Sequence, residues 1–198
     1  MAAPPSREAI TGLVLAGGRG QRLGGVDKGL QDWRGQPLVD HAIARLAPQV
    51  REVMISANRN APAYASRVTR VLADASDDFP GPLAGILAGL RASATPWLAV
   101  VPCDSPRLPP DLVERLASGL GDAPGAVVQR HHGDGVLRLE PVCCLLSTAL
   151  ADDLARYLGD GGRKVEGWVS RHAAPVLFDR QDDAPAFANI NTLADLER

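Results

Sequence analysis

Three apolar residues, Leu13, Val14 and Leu15, run directly into the segment A-G-G-R-G-Q-R-L-G-G-V-D-K, which ends at Lys28. An apolar run between glycines predicts a buried strand. The segment after it carries Gly17, Gly18, Gly20, Gly24 and Gly25 beside the cations Arg19, Arg22 and Lys28. Glycine admits positive φ and close approach of main chain to ligand, and successive N–H groups form an anion-binding concavity. Such a loop suits phosphate, or else is a basic surface turn. Two familiar phosphate loops do not fit it. A Walker A loop requires Gly-Lys followed by Ser or Thr, whereas Lys28 lies between Asp27 and Gly29. The dinucleotide fingerprint G-x-G-x-x-G is met at Gly18 and Gly20 but fails at Leu23.

Downstream, the pattern alternates between strand and helix. Leu30 to Trp33 reads as a short extended piece closed by Arg34-Gly35. Leu38, Val39, Ala42, Ile43 and Leu46 recur at helical spacing after Pro37, and Pro48 marks the exit. Glu52 to Ser56 is β-prone, which gives strand, helix, strand with a glycine-rich turn after the first strand, a βαβ opening. Ala61 to Ser66 reads as a helical turn, Arg70 to Leu72 as a strand, and Asp74 to Asp78 as an irregular acidic stretch. Pro82 opens a helix to about Ala92. The Phe79-Pro80-Gly81-Pro82-Leu83 turn before it is either a rigid connection or a helix N-terminus that meets phosphate or a base edge.

Trp97 to Val101 is continuously apolar, as a strand covered on both faces must be. It ends in Pro102-Cys103-Asp104-Ser105-Pro106. An Asp just past the carboxyl end of a buried parallel strand lies where open α/β sheets bind ligands, although an Asp before Ser-Pro can also cap a turn. Pro109-Pro110-Asp111 begins a helix to Leu120. Ala126 to Arg130 and Val136 to Leu139 read as strands around the polar turn 131–135, and Pro141 to Leu146 as a further strand. His131 and His132 are adjacent, so they would point to opposite faces of a strand, and no third ligand accompanies them. Thr148 to Leu158 is a helix stopped by the Gly159-Asp160-Gly161-Gly162 turn, and Arg163 and Lys164 open the next. Two cations at that junction hold a phosphate or make an exposed charged turn. Ala174 to Phe178 is a last strand, Asn189 and Asn191 share a face if extended, and Thr192 caps a terminal helix.

With 198 residues, 45% of them hydrophobic and 22% charged, the chain suits one globular domain over 1–198, with residues 1–9 as a flexible tail. A net charge of −2 gives no electrostatic reason for nucleic acid or a membrane as partner. No apolar run has the length of a membrane span, and M-A-A-P-P-S-R-E lacks the layout of a signal peptide, so a cytoplasmic protein is expected. Cys103, Cys143 and Cys144 have no C-x-x-C spacing and read as small buried apolar residues.

Five blocks in order resemble one family: L-A-G-G…R-L-G-G-V-D-K at 15–28, A-N-R at 57–59, P-G-P-L-A-G at 80–85, P-C-D-S-P at 102–106 and N-I-N-T at 189–192. By them the chain resembles the molybdenum cofactor guanylyltransferases of the nucleotidyltransferase superfamily, over almost its whole length. The resemblance implies a single three-layer, Rossmann-like α/β fold with a mostly parallel central sheet. It implies transfer of GMP from GTP to the terminal phosphate of molybdenum-bearing molybdopterin, with release of pyrophosphate and a requirement for Mg2+. Leu15, Ala16 and Gly17 would meet the nucleotide by main chain, and Gly18, Arg22 and Lys28 would hold its phosphates. Ser56, Asp74, Gly81, Pro82 and Leu83 would surround guanine and ribose, and Asp104 would ligate the metal. Lys28, Arg22 and Asp104 would be the catalytic set. Arg163, Lys164, Asn189 and Asn191 would face the pterin, and molybdoenzymes or cofactor-handling proteins would be transient partners.

The chain departs from the family pattern at Ser56, where the pattern has asparagine, and at Glu140, where some members have histidine. The chemistry itself is consistent with the residues. Nucleotidyl transfer asks the protein for positioning and charge stabilisation, and the acceptor phosphate is the nucleophile. Three alternatives share the loop: a cytidylyltransferase for the same pterin, a nucleotide-sugar pyrophosphorylase, and a nucleotide-binding regulatory module without turnover.

Overall fold

The structure is a computed structural model that describes residues 3–16, 27–73, 81–190, 192 and 195. Gly17, Gly18, Arg22, Asp74, Asn191 and the acidic stretch 74–78 therefore lie outside the described residues. Nine strands are described: β1 (Ile10–Leu15), β2 (Asp32–Trp33), β3 (Gln36–Pro37), β4 (Glu52–Ser56), β5 (Arg70–Leu72), β6 (Trp97–Pro102), β7 (Gly125–His131), β8 (Leu137–Ser147) and β9 (Ala173–Leu177). The helices are α1 (Leu38–Leu46), α2 (Ala61–Ala65), α3 (Pro82–Ala92), α4 (Leu112–Ser118), α5 (Ala151–Gly159), α6 (Val165–His172) and α7 (Asp183–Ala186).

Seven strands form one sheet in the order β5-β4-β1-β6-β8-β7-β9. β5, β4, β1 and β6 are mutually parallel, as are β7 and β9, and β8 runs against both of its neighbours. The apolar runs follow from burial on both faces. Val14, Ala99, Val101, Cys143 and Leu145 enter one core with α1 and α4 residues. Their neighbours Leu13, Leu98, Val100, Cys144 and Leu146 enter a second core with α3, α5 and α6 residues. Side chains alternate across a strand, so a strand between two helical layers must be apolar at successive positions. This is the expected three-layer α/β arrangement. All three cysteines are buried and free.

One expectation changes. The segments 136–139 and 141–146 are a single strand, β8, interrupted within its ladder. Val127 pairs with Cys144 while the next residue, Val128, pairs with Glu140, so Pro141 to Cys143 bulge out of register. Pro141 has no N–H to give the ladder, and its ring is accommodated at an irregularity of this kind. Two helices also start differently from the expected positions. α4 starts at Leu112 rather than Pro109, and a 3₁₀ turn, Thr148–Leu150, precedes α5. At the amino-terminal end, Arg7–Ala9 form a 3₁₀ turn from which Arg7 Nε donates to the Val50 carbonyl at 2.9 Å.

The carboxy-terminal segment is tied to α4 by a buried ion pair. Arg115 Nη1 and Nη2 each donate to an Asp183 carboxylate oxygen at 2.8 Å, with the guanidinium 3.6 Å over the Phe178 ring. Burial alone would raise the Asp183 carboxyl. The bonds from Arg115 and from the Arg180 N–H outweigh it and hold the group below its ordinary value. A carboxyl held low when folded adds stability above its unfolded value, near 3.8, and that stability is lost as pH falls through the lower folded value. Urea midpoints measured from pH 6 down to pH 2 should therefore drop on the acid side. Asp183→Asn should flatten that limb while lowering the midpoint at pH 6; an unchanged limb would refute the assignment.

Candidate active site

Four strand ends lie flush along one edge of the sheet. Leu15 is in register with both Ser56 and Pro102, and Ser56 with Leu72. The chain leaving each strand is zippered to its neighbour for one more bond: Ala16 N to Ser56 O at 2.9 Å, Ala57 N to Leu72 O at 2.9 Å, and Cys103 N to Leu15 O at 3.1 Å. Parallel pairing thus delivers Ala16, the A-N-R block and the C-D-S-P block, far apart in sequence, to a single edge. It is the carboxyl edge, where α/β sheets bind ligands.

α3 brings its N-terminus to the same place. Gly81 precedes it with φ 138°, a backbone conformation that an L side chain disfavours, and Pro82 occupies the first helical position. The helix packs closely because Gly85 has no side chain: a Cβ there would stand 2.4 Å from Ser56 Oγ and 3.0 Å from Leu15 Cδ2. Ser56 is consequently buried beneath α3, at 2% exposure. The small side chain at 56, where the family pattern has asparagine, is what faces the helix.

Across this edge Lys28 Nζ meets Asp104 Oδ2 at 2.6 Å, with both side chains less than a fifth exposed. The second carboxylate oxygen, Oδ1, is buried and has no hydrogen-bond partner among the described residues. Among the described residues Asp104 accepts through its side chain from Lys28 and from no turn N–H. Its carbonyl accepts from the Ile190 N–H at 2.9 Å, and the Ser105 hydroxyl donates to Asn189 Oδ1 at 2.7 Å. Asn189 is thereby held against the Asp104 loop.

Arg163 and Lys164 lie further along the same edge. β8 ends at Ser147 opposite Trp97, the amino end of β6, and β9 begins directly after α6 at Ala173, opposite Gly125. α5 must therefore climb towards the ligand edge and α6 descend from it, which places their connecting turn at that edge, on the β8–β7–β9 side. Arg163 Nη1 donates to the carbonyls of Leu158 (2.9 Å) and Gly162 (2.7 Å), fastening the end of α5. Lys164 precedes α6 and is exposed, its carbonyl accepting from the Tyr157 hydroxyl at 3.2 Å. Glu140 is engaged by Arg130 Nε at 2.6 Å.

The model of the MobA-like NTP transferase domain matches residues 12–176, which reach from within β1 to within β9. The chain belongs to this family. It is 53% identical over 196 residues to a protein of Ralstonia nicotianae named molybdenum cofactor guanylyltransferase, covering 96% of this chain and 95% of the relative. A protein of the same name from Cupriavidus pinatubonensis is 52% identical over 195 residues, covering 96% of each. Among solved structures, molybdopterin-guanine dinucleotide biosynthesis protein A of Archaeoglobus fulgidus superposes with a TM-score of 0.73 at 25% identity, covering 95% of each chain.

Members of this nucleotidyltransferase family typically use a divalent metal. The described residues contain no cluster of three or more His, Cys, Asp or Glu side chains. A single carboxylate with one buried, unpartnered oxygen nevertheless suits a hard cation that takes one or two carboxylates and completes its shell with water and substrate phosphate. Cys103, beside Asp104, is no rival nucleophile: burial, and after it the neighbouring Asp104 charge, pushes its thiol up to about 12.

Sequence reading missed the supports of this MobA-like site. Asp27, Asn60 and Tyr64 were not among the expected residues, yet all three bond around Lys28. The D-K pair closing the glycine segment was a signal for Asp27. Nothing in the short A-P-A-Y-A helix marked Tyr64.

Proposed function

We propose that this chain transfers GMP from GTP to molybdenum-bearing molybdopterin, forming the guanine dinucleotide cofactor and pyrophosphate. The observation that carries the reading is the Lys28–Asp104 pair with its unpartnered buried oxygen, set at the ligand edge of a fold shared at 53% identity with a molybdenum cofactor guanylyltransferase. Residues 1–198 act as one catalytic domain, and the reaction takes place in the cytoplasm. Among the described residues no helix is long and apolar enough to cross a membrane.

In the reaction an oxygen of the acceptor's terminal phosphate attacks the α-phosphorus of GTP. One P–O bond forms as the bond to the β-phosphate bridge breaks, and pyrophosphate departs with the electron pair. The protein contributes alignment and fixed charge. Leu15, Ala16 and Gly17 contact the nucleotide by main chain in this reading, and Gly18, Arg22 and Lys28 take its phosphates. Lys28 places its ammonium where negative charge accumulates. The start of α3 at Gly81, Pro82 and Leu83, with Ser56 beneath it, shapes the guanine and ribose side, and Asp74 is assigned to the same side by the family resemblance. Asp104 would hold Mg2+, and the ion would supply positive charge for the phosphates. Asn189, Asn191, Arg163 and Lys164 present the pterin side, and delivery to molybdoenzymes or cofactor-handling proteins follows by transient contact.

Incubation with molybdenum-molybdopterin and either GTP or CTP, followed by mass spectrometry of the pterin dinucleotide and a pyrophosphate assay, tests this. A guanine dinucleotide is expected; a cytosine dinucleotide, or no turnover with either, would refute the proposal. The two cations of the α5–α6 turn should behave differently from one another. Lys164→Ala should weaken the pterin acceptor about tenfold, in line with loss of one charge-assisted contact, and leave GTP binding unchanged in calorimetry. Arg163→Ala should also lower the melting temperature, because its guanidinium caps α5 carbonyls. Equal losses for both ligands would remove this turn from the acceptor site.

A further inference from the structure

Asp27 and Lys28 are neighbours with different partners. The Lys28 ammonium crosses to Asp104, while the Asp27 carboxylate gathers the groups around the loop. Its Oδ1 accepts from the Tyr64 hydroxyl at 2.6 Å and from the Gly29 N–H at 3.2 Å, and its Oδ2 accepts from Asn60 Nδ2 at 2.9 Å. Its carbonyl takes a further bond from Gln31 Nε2 at 3.2 Å. The residues on both sides of Lys28 are thus fastened.

Tyr64 is the buried member of this set. It is fully enclosed in the core, and burial, followed by the bond to Asp27, raises its phenol well above the ordinary value. The hydroxyl therefore keeps its proton, and that proton goes to a carboxylate. The loop sits directly on it: a Cβ added at Gly29 would stand 2.5 Å from the Tyr64 oxygen. Asn60 leads into α2 with φ 53°, in the left-handed region that asparagine tolerates better than most residues. A lysine side chain is long and rotamer-rich, so its ammonium is held in place only if the main chain beneath it is fixed.

We propose that Tyr64, acting through Asp27, is a positioning residue that sets Lys28 against Asp104 for nucleotidyl transfer. The inference rests on the reading of Lys28 as a phosphate contact in the reaction proposed above. Tyr64 touches no reacting atom; its effect passes through the placement of one ammonium group, for which a displacement near 1 Å costs up to about a hundredfold in rate.

The test is a double-mutant cycle on the full chain, with pyrophosphate release measured from GTP and molybdenum-molybdopterin. Tyr64→Phe keeps the ring that fills the core and removes only the hydroxyl. It should lower kcat by about ten- to a hundredfold, with the KM for GTP moving far less and the melting temperature falling by no more than about 4 °C. In a Lys28→Ala background the same substitution should change kcat by less than about twofold, because the group it positions is already gone. Asp27→Ala should show the same dependence on Lys28. A Tyr64→Phe enzyme with wild-type kcat, or one whose loss multiplies that of Lys28→Ala, overturns the proposal. A Lys28→Ala enzyme with normal turnover overturns both the proposal and the reading of Lys28 beneath it, and a wild-type chain that makes no product overturns the assigned reaction itself.

Discussion

Asp104→Asn should abolish nucleotidyl transfer in a protein that still folds. The substitution keeps the size of the side chain and an oxygen able to accept from Lys28 Nζ, now 2.6 Å from Oδ2, and it leaves the main-chain bond from Ile190 to the residue 104 carbonyl in place. What it removes is the charge that holds a hard cation against competing water. Stabilisation of triphosphate charge by a metal is worth several kcal/mol, so turnover should fall by about 10²–10⁴. The ion pair with Lys28 is partly buried, and weakening it should cost about 1–2 kcal/mol, which lowers the melting temperature by a few degrees. GTP binding should become nearly insensitive to added Mg2+. Melting curves, calorimetry with and without Mg2+, and pyrophosphate release on one preparation decide the matter. A destabilised but active variant would place Asp104 outside the site.

Lys28→Ala should be the next most damaging change. Loss of one preorganised contact to developing charge costs on the order of 10²–10³ in rate. The stability cost is smaller, because Asp27 and Gly29 on either side are fastened by bonds that do not use the Lys28 side chain. The variant has a second signature. Asp104 loses the cation beside it, its one side-chain partner among the described residues, and nucleotide-free Lys28→Ala should bind Mg2+ or Mn2+ more tightly than the wild type in calorimetry. Normal turnover at saturating GTP would show that Lys28 is only the local partner of Asp104.

The likeness of this fold to other nucleotidyltransferases extends beyond the guanylyltransferases. A 4-diphosphocytidyl-2C-methyl-D-erythritol synthase of Anaerococcus prevotii superposes with a TM-score of 0.73 at 10% identity, covering 96% and 95% of the two chains. At that identity the match speaks for architecture alone. Within that architecture the end of β4 is closed over by α3, with Ser56 buried under Gly85.

Local pattern determined the elements. Leu13 to Leu15 and Trp97 to Val101 were legible as buried strands because a strand between two helical layers must be apolar on both faces, and Pro82 marked the start of α3 because proline fits a first helical turn. The positions of Asp104 and Lys28 followed, one after an apolar strand and one closing a glycine segment. The single strand β8 was not legible, because Pro141 reads locally as a break, and only pairing with β7 on both sides of it carries the strand across. Nor were the contacts that make the site. Lys28 and Asp104 are 76 residues apart, Tyr64 lies 37 from Asp27, and Asn189 lies 84 from Ser105. Residue type and spacing govern burial and turn chemistry, which act over a few residues. Which distant carboxylate meets which cation is decided by strand order and register, and those emerge only when the whole sheet closes its two cores.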